Sequence, residues 1–380
     1  MRRSKHENEK IEVILTKSGI ITRLILLVIA LSIASVAFYN IFTKVLHTKS
    51  GWQMVTANTK SIAGSEFAFN YQFGVSDMSP SVEWSTLNKA YSTLLDEGYN
   101  LFSNDEVTGI GNLYQINTHP NEEIYLEPEL YAALKKINAS GSRFIFYAPV
   151  FEQYRALLSC EDEYAAADFD PYENEEVAEY VKRVCDYAKD ENYIRIELGN
   201  DNKAKLVVSD EYMAFAKENE ISIFLDLFFA RNAFLIDYVS DRLIDEGYTA
   251  GVITSVEGYV RALGEGDYSI KRYFYNDGNT PREQIYSYNG PKSIVSLRGF
   301  PLYGEKSQYF YVSKDETVRN IYINPETGLC VDSFNQVLAA SSKTGCSDIL
   351  LPLYDCIVKE EKFDDISEEY GIEYISESYE

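Results

Sequence analysis

An α+β, mixed α/β domain behind a single N-terminal transmembrane helix is the architecture that this 380-residue sequence predicts. Three observations predict it: an uncharged apolar run near the N-terminus, a middle region that alternates helical and strand periodicity, and a last third rich in short apolar runs between turns. The run comes first. Between Arg23 and Lys44, residues Leu24 to Thr43 carry no charge, and at about 1.5 Å per residue they span roughly the 30 Å of a bilayer core. Residues 1–46 hold seven Lys or Arg and three Glu, in a chain whose formal charge is −24. Most of that basic charge precedes the run, so 1–23 reads as a cytoplasmic tail, 24–45 as the membrane helix, and the acidic remainder as extracytoplasmic. The rival reading is a cleaved signal peptide with Ser35-Val36-Ala37 as its processing site.

Residues 46–66 are small and polar and read as a linker. The folded domain is then 67–376. Its first element is the alternating stretch Phe67 to Phe73, a strand. Leu87, Tyr91 and Leu94 recur at helical spacing, predicting a helix over 82–97 that stops at Gly98. Leu130, Leu134 and Ile137 mark a second helix, opened by Pro128. Residues 161–180 hold nine acidic residues and no Lys or Arg; with their surroundings, near 155–190, they read as a solvated acidic insertion, since no regular calcium-ligand spacing is present. Ile221 to Leu227 (ISIFLDL) is fit for a buried strand. Asn232 can cap a helix whose Ile236, Val239 and Leu243 share a face and which Gly247 ends. Ala250 to Val256 supplies another strand, so strand, helix and strand are compatible with a crossover unit. Turns follow at Asn276-Asp277-Gly278-Asn279 and Asn289-Gly290-Pro291.

Composition excludes several functions. A pI near 4.6 is the opposite of the basic footprint that nucleic-acid binding requires. The three histidines, His6, His47 and His119, leave only His119 in the folded region, which disfavours a Ser-His-Asp triad or a His-rich zinc site. Cys160, Cys185, Cys330, Cys346 and Cys356 form no CxxC pair, and their odd number leaves at least one unpaired within the chain. The connectivity stays open.

The order of several segments resembles the ApbE family of FAD:protein FMN transferases, over roughly residues 67–376. Phe102-Ser103 followed by Ile116-Asn117 is similar to the family's early Ser and Ile-Asn. Ser140-Gly141, Phe144 and Pro149 follow the second helix as in the family. Asp226-Leu227 and Asp237 match the length of its Asp-Leu-Gly-Gly-x-Ala-Lys-Gly-Tyr-x-x-Asp. Glu257-Gly258 falls at a Gly-Gly, Asn324-Pro325-Glu326-Thr327-Gly328 at Asp-Pro-x-Thr-Gly, and Ser347-Asp348 at the Ala-Asp of the last motif.

The resemblance implies a flavin cleft near Asp226, Asn232, Asp237, Glu257, Gly258 and Thr327, and a metal ligand at Asp348. It also exposes departures. Phe228 and Phe229 stand at the two turn glycines, Asn232 at the phosphate-binding lysine, Ala233 at the next glycine, and Ile321 at the histidine that assists transfer. Leu297-Arg298-Gly299 replaces Thr-Ser-Gly, and Pro352 stands at the metal-binding Thr, leaving an incomplete metal site unless Asp355 moves in. Glycines at such a turn let backbone donors approach a phosphate, and two phenylalanines put bulk there instead.

The reading that follows is a membrane-anchored, extracytoplasmic flavin-transferase-like protein, catalytically degenerate and acting in binding or assembly. No catalytic residue is assigned. One alternative is an active magnesium-dependent FAD:protein FMN transferase with a variant site; another is a binder of a different small ligand in the former cleft. No cofactor is assigned, although FAD and Mg²⁺ follow if the family activity is retained. The expected partners are the membrane and an extracytoplasmic protein. Structural roles compete at each site residue: a strand-end cap for Asp226, a solvated helix face for Asp237, a helix N-cap for Asp348, and a turn residue for Asn324.

Overall fold

The structure, a computed structural model, describes residues 17–46, 49–160, 163–276, 280–301, 309–313, 317–331, 336–363 and 371–377. His6, His47 and the centre of the 276–279 turn lie outside them. A long helix, Lys17–Leu46, precedes the domain. Its described side chains, 25–40, are all exposed although nearly all are apolar. Among the described residues no helix is long and apolar enough to cross a membrane.

Seven strands form the main sheet, in the spatial order Gly51–Val55, Phe67–Phe73, Gly251–Ser255, Tyr259–Ala262, Lys292–Arg298, Gln336–Ser341 and Glu373–Glu377. Every neighbouring pair is antiparallel. The first strand corrects one expectation: Gly51–Val55, inside the predicted linker, pairs with Phe67–Phe73 along its whole length, so the domain begins before residue 67. Side-chain alternation divides the sheet between two apolar layers. Phe69, Ile253, Val295, Leu297, Val337 and Ala339 join the large core with the helices Pro80–Phe102, Arg231–Asp245 and Cys346–Val358. Val260, Ala262, Ile294, Leu338 and Ala340 face the other way, under Tyr268 and Tyr288 of the hairpin Asp267–Asn276 and Thr280–Asn289. Covered on both sides, Gln336–Ser341 is buried at every position.

A second unit carries a three-stranded sheet of Glu123–Tyr125, Lys203–Val208 and Ile194–Leu198. The helix Pro128–Ser140 packs on it, with Leu130, Leu134 and Ile137 fully buried as their spacing predicts. Gly98 does not stop the first domain helix, which runs from Pro80 to Phe102; it lies inside, and Leu235 and Tyr238 occupy the space a side chain would need. The acidic region is partly helical, Glu163–Ala166 and Glu175–Ala188, the latter capped by Asn174. Its Asp170 is buried against Arg319 at 3.1 Å, so it is not wholly a solvated loop.

The predicted strand 221–227 is absent, and with it the crossover unit. Asn117 takes over the hydrogen bonds a neighbouring strand would make. Its Oδ1 accepts from the N–H groups of Phe224 and Leu225 at 2.9 Å each, and its Nδ2 donates to the Leu225 carbonyl at 2.8 Å. The segment is partly buried, with Phe224, Leu225 and Leu227 inside, and belongs to no sheet. No disulfide joins the five cysteines among the described residues.

Candidate functional site

The segment held by Asn117 leads straight into the turn where the sequence departs most from its family resemblance. Asp226 Oδ1 accepts from the Phe228 N–H at 2.8 Å, closing an Asx turn, while its Oδ2 meets Arg155 Nη2 at 2.9 Å. Phe228 has φ of 41°, a left-handed conformation that glycine adopts freely and a bulky residue adopts at a cost. Its ring stacks on Phe151 at 5.2 Å between centroids and lies 4.7 Å from the Arg155 guanidinium. Phe229 turns inward, almost fully buried, against Phe144, Phe151, Tyr322 and Tyr354.

At the second position of the following helix, Arg231–Asp245, Asn232 is buried rather than capping. Its amide donates to Glu257 Oε1 at 2.7 Å and to Glu66 Oε2 at 3.3 Å. Glu66 holds Arg231 at 2.7 Å, and Arg231 lies over the Tyr99 ring. Tyr309 donates its hydroxyl to Glu257 Oε1 at 2.5 Å. Glu257 Oε2 is buried with no hydrogen-bond partner among the described residues. Burial pushes the Glu257 carboxyl above the ordinary range, partly opposed by the bonds from Tyr309 and Asn232. Beside it Gly258, with φ of 94°, touches the next strand so closely that a Cβ would lie 2.2 Å from the Ser296 carbonyl oxygen.

Two cavities meet at Tyr309. One, of about 530 Å³, is lined by Glu257, Gly258, Ser296, Arg298, Ile321 and Gln336 among others. Gln336 donates to Ser296 Oγ at 3.2 Å, but its Oε1 is buried without a partner among the described residues. The other, of about 320 Å³, is lined by Glu66, Ser103, Arg155, Asp226, Phe228 and Arg231. The structure therefore brings Asp226, Asn232, Glu257 and Gly258 to one place.

Asp237, Thr327 and Asp348 belong elsewhere. Asp237 is 8% exposed and caps the helix Cys346–Val358. Its Oδ1 accepts from the Cys346 N–H at 2.7 Å, and its Oδ2 accepts from the Ser347 N–H and hydroxyl at 2.8 and 2.7 Å. Arg261 stands 3.4 Å away. The solvated helix face expected for Asp237 is thus replaced by a buried cap, which joins two helices far apart in sequence and suits the positive end of a helix dipole. A side chain at Gly345 would collide with this carboxylate, at 2.4 Å from Oδ2.

Asp348 sits one turn in, at the third helical position, where it reaches back to the Gly345 N–H at 3.0 Å. Its other oxygen pairs with Lys136 Nζ at 2.9 Å, and the same ammonium donates to Ser347 Oγ at 2.9 Å. Pro352, one turn further on, offers no side-chain oxygen. Asp355 is seven residues along the helix, roughly 10 Å away, and accepts from Ser142 at 2.7 Å. No group of three His, Cys, Asp or Glu side chains converges among the described residues. Thr327 is exposed in a surface turn, where its hydroxyl accepts from the Leu329 N–H at 3.2 Å. Asn324 shapes that turn by accepting from the Glu326 N–H.

Sequence reasoning missed Glu66, Arg231, Tyr309 and Lys136. No motif marks them, since each acts through a partner distant in the chain, although the adjacency of Arg231 to Asn232 was a usable signal. Solved structures share this architecture. The ApbE protein of Thermotoga maritima matches at 12% identity over 87% of this chain and 94% of its own, with a TM-score of 0.57. The flavin transferase ApbE from Vibrio cholerae matches at 16% identity, 87% and 97% coverage and TM-score 0.57. The apo form of Pseudomonas stutzeri flavinyl transferase ApbE matches at 13%, 87% and 91%, and 0.54. No protein-family model matches the chain, and neither does any curated protein sequence.

Proposed function

We propose that this chain, which has the fold of ApbE flavin transferases, is a membrane-anchored flavin-transferase-like protein that has given up flavin transfer and works by binding or assembly. The observation that carries this reading is the state of Asp348. Its carboxylate is spent on the Gly345 N–H and on the Lys136 ammonium, and that ammonium supplies the positive charge at the position where the resemblance places a divalent cation. Magnesium wants near-octahedral oxygen ligation, whereas here one carboxylate is already neutralised and its neighbour one turn on is a proline. The residues do not fit the metal, so no catalytic step is assigned through it. At the turn, the Phe228 ring stands where backbone donors would have to meet a phosphate, and Asn232 is engaged with Glu66 and Glu257.

The anchor rests on the uncharged run from Leu24 to Thr43, its basic flank, and the exposed apolar side chains of the helix Lys17–Leu46. A second reading, a small ligand other than FAD in the former cleft, is favoured by the 530 Å³ cavity, where Glu257 Oε2 and Gln336 Oε1 have no hydrogen-bond partner among the described residues. The test is incubation of the detergent-solubilised chain with FAD and Mg²⁺, measuring bound flavin and released AMP. No AMP release and no retained flavin is the expected result. Stoichiometric AMP release, or flavin that stays with the protein through gel filtration, would overturn the proposal in favour of an active enzyme.

A further inference from the structure

We propose that the edge strand Gly51–Val55 and the turn beside it rest on the lipid headgroup layer, with Trp52 and Met54 dipped into it. The domain is then seated on the membrane and not held at the end of a free tether. The inference depends on the reading that the helix Lys17–Leu46 enters a membrane, and it adds an orientation to that reading.

Four observations converge. Exposure is the first: Trp52 is 50%, Met54 64%, Val75 56% and Met78 39% accessible. Alternation puts Trp52 and Met54 on one face of the outermost strand, and the register Gly51↔Phe73 brings the turn that starts at Gly74 next to Ser50. An exposed edge strand is usually guarded by charged side chains, and this one presents Trp and Met instead.

Distance is the second. Only residues 47–50 separate the last helical residue, Leu46, from Gly51, so at about 3.5 Å per residue Gly51 stays within roughly 18 Å of the helix end. Charge is the third. From Lys44 to Ser76 the sequence has Lys44, Lys49 and Lys60 against a single acidic residue, Glu66, which is buried against Arg231; Asp77 closes the stretch. In a chain of formal charge −24, this stretch of sequence carries more Lys than Asp or Glu, although Lys60 lies beside Asp96, and that balance suits an anionic headgroup surface better than the rest of the chain does. A second copy of so acidic a chain is a poorer occupant of the same edge. The fourth is chemical type. An indole carries an apolar body and one N–H, which suits the boundary between headgroups and acyl chains. Trp52 meets the Tyr268 ring at 6.2 Å in an edge arrangement, so it is steadied at the rim of the hairpin while half exposed.

The chain has two tryptophans, Trp52 and Trp84, and this makes the test direct. The full chain carrying Trp84→Phe is reconstituted into nanodiscs of phosphatidylcholine and phosphatidylglycerol containing lipids nitroxide-labelled at shallow or deep positions. Wild type and Trp52→Phe, measured in parallel, give the Trp52 signal by difference if Trp84→Phe folds poorly. Expected is a blue-shifted Trp52 emission, most of it lost to the shallow quencher and little to soluble acrylamide. Solvent-like emission quenched by acrylamide alone, in chains that resist carbonate extraction, overturns the seating and leaves the anchor intact. Trp52 shielded from both quenchers overturns it in favour of a protein cover. Release of the chain by carbonate overturns the anchor and the seating together.

Discussion

Asp237→Ala and Asp348→Ala, made separately, should destabilise the protein by clearly different amounts, although both acids serve the same helix terminus. Asp237 accepts two backbone N–H bonds and one hydroxyl bond at 2.7–2.8 Å while 8% exposed. Its removal leaves two helix N–H groups unpaired and weakens the anchoring of Arg261, which keeps Asp241 at 2.6 Å and Ser293. Breaking a buried charged pair costs about 3–5 kcal/mol. Asp348 loses one backbone bond, about 1 kcal/mol for a capping interaction, and an ion pair whose side chains are 36% and 32% exposed, about 0–1 kcal/mol. At roughly 2 °C of Tm per kcal/mol for a domain of this size, the melting temperature should fall roughly 6–10 °C for Asp237→Ala and roughly 2–4 °C for Asp348→Ala. The assay is differential scanning fluorimetry of the detergent-solubilised chain with and without millimolar Mg²⁺, which should move none of the three proteins. A Mg²⁺-dependent rise in wild type that Asp348→Ala abolishes would refute the argument, because a ligand that binds only the folded state stabilises it by mass action. Equal losses for the two variants would refute the assignment of Asp237 as the principal cap.

The two phenylalanines of the turn should respond oppositely to truncation. Phe228→Gly relieves a left-handed φ worth about 1–2 kcal/mol as it gives up a half-exposed ring, so denaturant midpoints should barely move; Phe229→Ala empties a buried site and should cost about 3–5 kcal/mol. Glu257→Gln should become progressively more stabilising relative to wild type as pH rises. The folded-state carboxyl titrates above its unfolded value, so the native state binds more protons in that window, and wild-type stability falls as pH climbs through the raised pKa and stays low above it. Denaturation across pH 4 to 8, compared between the two proteins, reads that difference directly, and parallel curves would count against the burial of the Glu257 carboxyl.

Much of the fold was legible because it is written in local periodicity. Phe67–Phe73, Pro128–Ser140 and the helix bearing Ile236, Val239 and Leu243 emerged with nearly their predicted bounds, since a single buried face dictates each. The failures have a common cause in partners remote along the chain. Ile221–Leu227 has a strand's composition, but a carboxamide more than one hundred residues earlier satisfies its backbone. Gly98 has a stop signal's identity, but the helix 231–245 needs the space above it. Gly51–Val55 was hidden by being short and by the turn-like residues around it. The site divided in the same way: Asn232 and Glu257 do meet, whereas Asp237, spaced like a cleft residue, is consumed by a helix terminus that begins over one hundred residues later.

Phe228 shows how a turn built for glycine can survive without it. Three anchors fix the backbone before its side chain matters: Asn117 clamps residues 224 and 225, the Asp226 N–H donates to the Ile145 carbonyl at 3.0 Å, and Asp226 Oδ1 receives the Phe228 N–H. With the chain directed from both sides, φ of 41° is imposed and not chosen, and the ring offsets the strain through Phe151, Arg155 and Tyr309. The same pattern holds at Asp348, whose charge is met by Lys136, and at Asn232, whose amide is met by Glu66 and Glu257. Phe228, Asn232 and Asp348 are thus each engaged internally, and a flavin or metal ion at these positions would have to displace those partners. Phe228→Gly alone should therefore leave FAD binding absent, because Arg155, Asn232 and Lys136 would keep their present bonds.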